Sequence, residues 1–174
     1  NNALCNYQLK VDFVRSRILR SKIHERKLDM GIVAMEPQYE DDIVLWQEAL
    51  HWVCAPDFKY NENEPIPIAL FSDDCVINNH SLYCLKKSNV DFEIIFTSIS
   101  MDSVAECVHA GAAVSLLPES QITPDMNILP KSFLPCPFTL KMGYSWNSDT
   151  DKQLINRVLE TLQDCIEKKS PATV

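Results

Sequence analysis

The order of strand-like and helix-like segments along this chain of 174 residues predicts an α/β fold. Three observations carry that reading. Short apolar runs closed by proline recur at 28–37, 49–56 and 113–118, the pattern of strands buried on both faces. Apolar residues at helical spacing stand between and after them, at Ile18, Leu19 and Ile23, at Val76, Ile77, Leu82 and Leu85, and at Leu154, Ile155, Val158, Leu159, Leu162 and Ile166. Capping and stop residues mark the handovers from strand to helix and back.

Taken in order, Gln8-Leu9-Lys10-Val11-Asp12-Phe13 alternates polar and apolar like a half-buried strand, and an amphipathic helix is predicted over 16–27. Residues 28–35 form a short apolar run ending at Pro37, hence a strand, and 49–55 form another before Pro56. The stretch 57–67, with Asn61, Asn63, Pro65 and Pro67, is loop by composition. A strand at 66–71 is followed by Ser72-Asp73-Asp74, which supplies N-cap chemistry for the next helix. Residues 92–97 make a further strand. Ser98-Ile99-Ser100 caps a helix carrying Val104 and Val108, and Gly111 is placed to stop it at the C′ position. A strand at 113–117 is cut by Pro118; the proline-rich 119–137 is irregular; 138–144 is a last strand before the closing helix. Alternation of this kind implies parallel sheets. There is no internal repeat and no low-complexity segment.

Bulk properties narrow the function classes. The chain carries 16 Lys plus Arg against 24 Asp plus Glu, a net charge of -8, so this piece alone is expected not to grip nucleic acid. The basic run Arg15, Arg17, Arg20, Lys22, His24, Arg26, Lys27 reads as a solvated helix face in preference to a phosphate-binding surface. No apolar stretch is long enough to span a bilayer, and the N-terminus lacks the pattern of a signal peptide, so a soluble, cytoplasmic chain is expected. Seven scattered cysteines, with no CxxC, suit reduced thiols better than a disulfide framework or structural zinc. The four histidines are dispersed and no GxSxG, HExxH or P-loop spacing is present, so no catalytic residue, metal or cofactor is expected. The pairs Asp41-Asp42 and Asp73-Asp74 are read as solubility and helix capping before acid/base dyads.

Several segments together resemble the effector-binding domain of LysR-type transcriptional regulators, and especially the branch containing LrhA and HexA. They are Leu28-Asp29-Met30-Gly31-Ile32-Val33; His51-Trp52-Val53-Cys54-Ala55; Pro65-Ile66-Pro67-Ile68-Ala69-Leu70-Phe71; Thr97-Ser98 before a helix; and the run from Val108 to Pro118. Each is weak alone; their order and spacing carry the resemblance. It implies a two-lobed periplasmic-binding-protein-like (type II) fold with the effector in the cleft between lobes. The crossovers would lie near 53–57 and 116–119, so that 1–57 and 118–174 form lobe I and 58–117 form lobe II. It also implies that the first strand and helix of lobe I are missing from this chain, and that an N-terminal winged helix-turn-helix lies outside it. Ala113 stands where the family often has Gly.

In open α/β sheets ligands gather at the carboxyl ends of strands, where helix N-termini offer unpaired N–H groups. Ser16 follows the first predicted strand and Ala34 the second, while Thr97 and Ser98 end a third. With the resemblance, these residues define the expected effector site: Ser16, Val33, Ala34, Thr97, Ser98, Ile99 and Ser100, with Met101 as a further apolar wall. Cys75 and Cys84 share the nine-residue separation of the cysteines in the family's peroxide sensors, but Asp73 and Asp74 beside the first disfavour a thiolate. The expected reading is a regulatory domain that binds a small-molecule effector, reaches DNA through the absent N-terminal domain and forms a homodimer or tetramer. A stand-alone solute receptor of the same fold, and a thiol redox regulator using Cys75 and Cys84, are the alternatives.

Overall fold

The computed structural model describes residues 8, 10–38, 42–61, 63–72 and 75–169. They divide into two compact units, residues 1–46 with 141–174 (unit 1) and residues 47–140 (unit 2). These boundaries differ from the expected 57/58 and 117/118. The reason lies in one strand, β2 (Ile43–Cys54), longer than the predicted 49–55. Its later half pairs antiparallel with β5 (Ser115–Pro118), from Leu50 opposite Pro118 to Val53 opposite Ser115, and so clusters with the residues that follow it.

In unit 1 the predicted strand at 8–13 does not form. Its described residues are irregular, with Val11 exposed and Phe13 97% exposed. Alternation can make a strand only where a neighbour takes its backbone N–H and C=O groups, and none of the described strands does so. The helix that follows, α1 (Ser16–His24), ends three residues short of the prediction, where Arg26 takes a positive φ of 61°. It packs Ile23 against β1 (Met30–Ala34). β1 pairs antiparallel with β7 (Thr139–Trp146), Met30 opposite Trp146 and Ala34 opposite Met142. The expectation of parallel sheets therefore fails here: local patterning reports burial, and pairing direction depends on a strand more than a hundred residues away. The closing helix α4 (Lys152–Lys169) forms as its spacing predicts, with Ile155 buried.

Unit 2 holds the parallel part. β3 (Ile66–Phe71) pairs in parallel with β4 (Phe92–Ser98), and Ile68 bridges in parallel to Val114. The two connections are α2 (Val76–Lys87), which packs on β3 and β5, and α3 (Met101–His109), which packs on β3, β4 and β5. Ile66, Ile68, Ala69, Val104, Val108, Val114, Leu116 and Leu117 are fully buried, which explains the unbroken apolar runs. The stretch 119–137 is mostly irregular, as predicted, apart from a 3-10 turn at Glu119–Gln121 and the two-residue strand β6 (Asn127–Ile128) paired with β2.

Gly111 ends α3 as expected. Its φ is +69°, its N–H bonds to the Val108 carbonyl at 2.9 Å, and the Ala112 N–H reaches back to Cys107 at 3.2 Å. That pair of bonds is the Schellman arrangement, which needs a residue indifferent to positive φ. Among the described residues no helix is long and apolar enough to cross a membrane.

Candidate functional site

The expected site residues fall into two groups, one in each unit. In unit 1, Ser16 opens α1 and its Oγ accepts the Ala34 N–H at 2.8 Å, so these two residues are in direct contact. The Ser16 hydroxyl proton remains able to donate. Val33 is fully buried in β1, which makes it core backing and not the apolar wall expected of it.

The basic run on this helix is not the uniformly solvated face expected. Arg20 is buried: its Nη2 donates to Asp42 Oδ2 at 2.6 Å and to the Ala34 carbonyl at 3.0 Å, with both charged side chains almost wholly out of water. Arg17 grips Glu36 with two bonds, Nε to Oε1 at 3.3 Å and Nη2 to Oε2 at 3.0 Å. The Arg17 guanidinium holds the Glu36 carboxyl below its ordinary range, against the opposing effect of burial. Asp42, read as a solubility residue, is thus a buried partner, while Asp41 lies outside the described residues. Charge alternation along one helix carries no hint of which cation will find an acid 22 residues on.

In unit 2 the carboxyl ends of β3 and β4 are joined: the Ser72 N–H donates to the Ser98 carbonyl at 2.8 Å. Thr97 is exposed at the end of β4. Ser98 Oγ accepts the Ser100 N–H at 3.1 Å, and Ser100, the N-cap of α3, accepts the Ser103 N–H at 3.3 Å. Two of the hydroxyls therefore work as local caps, though each keeps a proton to donate. Ile99 is 75% exposed and Met101 is partly exposed, so both are available as apolar contacts. Asp102, exposed in the first turn of α3, already answers the helix's positive end. Asp73 and Asp74 lie outside the described residues, and α2 begins from Cys75 as N-cap without a side-chain capping bond.

Cys75 and Cys84 stand at the start and near the end of α2; at 1.5 Å per residue they are about 13 Å apart along the axis, beyond the reach of a disulfide. Cys84 instead lines one open pocket with Cys136, a proximity that local spacing could not reveal. His109 hydrogen-bonds Asp125 Oδ2 at 3.0 Å through Nδ1 and lies 3.5 Å from Thr123 Oγ1. The order of groups is that of a nucleophile, base and orienter, but Asp125 is 68% exposed on a surface turn, where water competes for every bond. Among the described residues no group of three or more His, Cys, Asp or Glu is placed to hold a metal ion.

The profile of the LysR substrate binding domain family matches residues 6–165. The chain belongs to this family. Its fold is the family's two-lobed α/β fold, and among solved structures this LysR domain is similar to the apo regulatory domain of HypT from Salmonella typhimurium, at TM-score 0.74 and 16% identity over 94% of this chain and 88% of that one. Reduced OxyR matches with TM-score 0.65 and 18% identity, over 91% and 81%. DarR of Vibrio fischeri, solved in complex with DNA, matches with TM-score 0.71 and 14% identity, over 90% and 57%. Among curated proteins, the HTH-type regulator PecT of Dickeya dadantii (strain 3937) is 18% identical over 163 residues, 93% of this chain and 52% of PecT. DgdR of Burkholderia cepacia is 20% identical over 111 residues, 64% of this chain and 38% of DgdR. The chain thus spans about half or less of the length of these curated relatives.

Proposed function

We propose that this LysR domain senses a small polar molecule with the hydroxyl-bearing strand ends Ser16/Ala34 and Thr97–Ser100, and passes the signal to a DNA-binding winged helix-turn-helix elsewhere in a bacterial transcription regulator. The observation that carries the reading is the family match over nearly the whole chain, since a domain shared by DNA-binding regulators has a regulatory task. Its strand ends supply the recognition chemistry: hydroxyl donors, helix N-termini and the exposed Ile99. Asp102 at the α3 N-terminus favours a neutral or weakly anionic ligand over a strongly charged one. The regulator works as a homodimer or tetramer in the cytoplasm, and the chain sits in the branch of LrhA and HexA, supported by the runs at 65–71 and 108–118. A domain that only senses performs no catalysis, which fits the exposed setting of Asp125 beside His109.

A thermal-shift screen of polar metabolites tests this, because a ligand that binds only the native state raises the melting temperature. The Thr97→Val, Ser98→Ala double variant should weaken the hit by about 1 to 3 kcal/mol if both hydroxyls donate to it. A hit whose affinity and transcriptional response survive both replacements would move the site elsewhere.

A further inference from the structure

Within unit 2, the last turns of α2 and the irregular stretch before β7 line an open pocket of about 440 Å³. Most of its lining is apolar: Tyr83, which is half exposed, and the exposed Pro135 and Pro137, with the thiols of Cys84 and Cys136. Burial pushes the Cys84 thiol up to about 12, so it stays protonated and brings no negative charge to the pocket. The remaining lining groups are the exposed side chains of Lys87 and Lys131.

The walls are set by packing behind them. Leu134 is buried, Phe133 packs edge-on against Tyr60 at 4.9 Å, and Phe138 stacks on His80 at 4.0 Å and meets the Tyr83 ring edge-on at 5.2 Å. Pro135 and Pro137 have fixed φ angles and hold the backbone on each side of Cys136. A pocket supported in this way exists before any ligand arrives, so little further ordering is needed on binding.

Charge gives the pocket a preference that the chain as a whole lacks. The sequence carries 24 acidic residues and a net charge of -8, yet the charged residues lining this pocket are both lysines. Among the described residues neither lysine has an acidic partner; the Lys87 ammonium lies 6.0 Å from the centre of the Tyr83 ring, at the outer limit of a cation–π contact. The C-terminal end of α2 would oppose an anion with its partial negative charge. Ser88 reduces that opposition, its N–H donating to the Cys84 carbonyl at 2.9 Å and its Oγ to the Leu85 carbonyl at 2.8 Å.

We propose that this pocket is a second binding site, for a small aromatic carboxylate, built from none of the strand-end residues Ser16, Ala34 and Thr97–Ser100. The ring of the ligand rests on Tyr83, Pro135 and Pro137, and its carboxylate meets the ammonium groups of Lys87 and Lys131. A flat ring suits these walls better than a flexible chain, because it buries apolar area on ring faces and has few rotors to immobilise. An inorganic anion such as phosphate gains nothing from the apolar lining, and a neutral arene gains nothing from the lysines.

The test is to titrate the full chain with naphthoate and with its neutral counterpart naphthamide, by calorimetry at neutral pH. Naphthoate should bind the more tightly, each of Lys87→Met and Lys131→Met should weaken it about fivefold, and the double variant should bind the two probes alike. Circular dichroism shows that the variants are folded when assayed. Position is read from the thiols: naphthoate should slow alkylation of Cys136 by iodoacetamide while leaving the exposed Cys165 unchanged. Lys131 and Lys141 flank Cys136, so trypsin releases it with no other cysteine in the same peptide. The Thr97→Val, Ser98→Ala variant should bind naphthoate as the wild type does, which separates this site from the strand ends. No binding of naphthoate, equal binding of naphthamide by the wild type, unchanged affinity in the lysine variants or an unprotected Cys136 would each overturn the proposal.

Discussion

Arg20 and Asp42 carry a large electrostatic stake at the residue scale, because both side chains are nearly out of water. Removing one partner leaves an uncompensated buried charge, so Arg20→Met should destabilise the chain by about 3 to 5 kcal/mol in urea denaturation, whereas adding Asp42→Leu should restore much of the loss. Equal stability of single and double variants would show that the pair is hydrated in solution. Glu36, a part-buried carboxylate, gives a pH signature. Its folded carboxyl is held below the ordinary value of 4.5, chiefly by hydrogen bonds from Arg17. The unfolded chain therefore takes up the proton first, and the Glu36 contribution, complete above the ordinary value, is lost as pH falls through the lowered one. Melting temperatures from about pH 6 to about pH 3 should fall more steeply for the wild type than for Glu36→Gln. His80 adds to the same trend: burial lowers its pKa, so stability begins to decline as pH drops through its ordinary 6.5 and the unfolded imidazole protonates.

At the scale of elements, the α3 stop is the most exposed to a single change. A Cβ at Gly111 would meet only ordinary contacts, the closest being Asp57 Oδ1 at 3.7 Å, so the cost of Gly111→Ala is conformational and not steric. It should come to about 1 to 2 kcal/mol by denaturation, the penalty for an L-residue held at positive φ. This stop was legible from local residues, as were α4, β1 and the buried strands of unit 2, because capping chemistry and apolar periodicity act within a few positions. The residues 8–13 show the limit of such reading. Their alternation is real, but a strand needs a partner, and partnership is not written in the segment itself. The same limit hid the antiparallel β1–β7 pairing and the Arg20–Asp42 contact. At the candidate site, Ala34 was legible as a strand end and does touch Ser16, which opens a helix with no strand before it, while the full burial of Val33 was not legible in the segment itself.

For the whole molecule, charge decides one behaviour irrespective of the ligand. With a net charge of -8 and the Arg17 and Arg20 guanidinium groups engaged by Glu36 and Asp42, the chain has little with which to neutralise phosphates. It should show no retention of duplex DNA in a mobility-shift assay at about 0.1 M salt, whatever effector is added. A shift by this chain alone would place DNA contacts in the domain itself and change how the regulator is understood.

Unit 2 is one continuous segment set between the two pieces of unit 1. During synthesis, α1 and β1 are made before unit 2, yet the strand that pairs with β1 is not complete until Trp146 has been made. By then every residue of unit 2 has already been joined to the chain. Unit 2 can therefore fold while the ribosome is still working, whereas β1 must wait for a partner strand that arrives more than a hundred residues later.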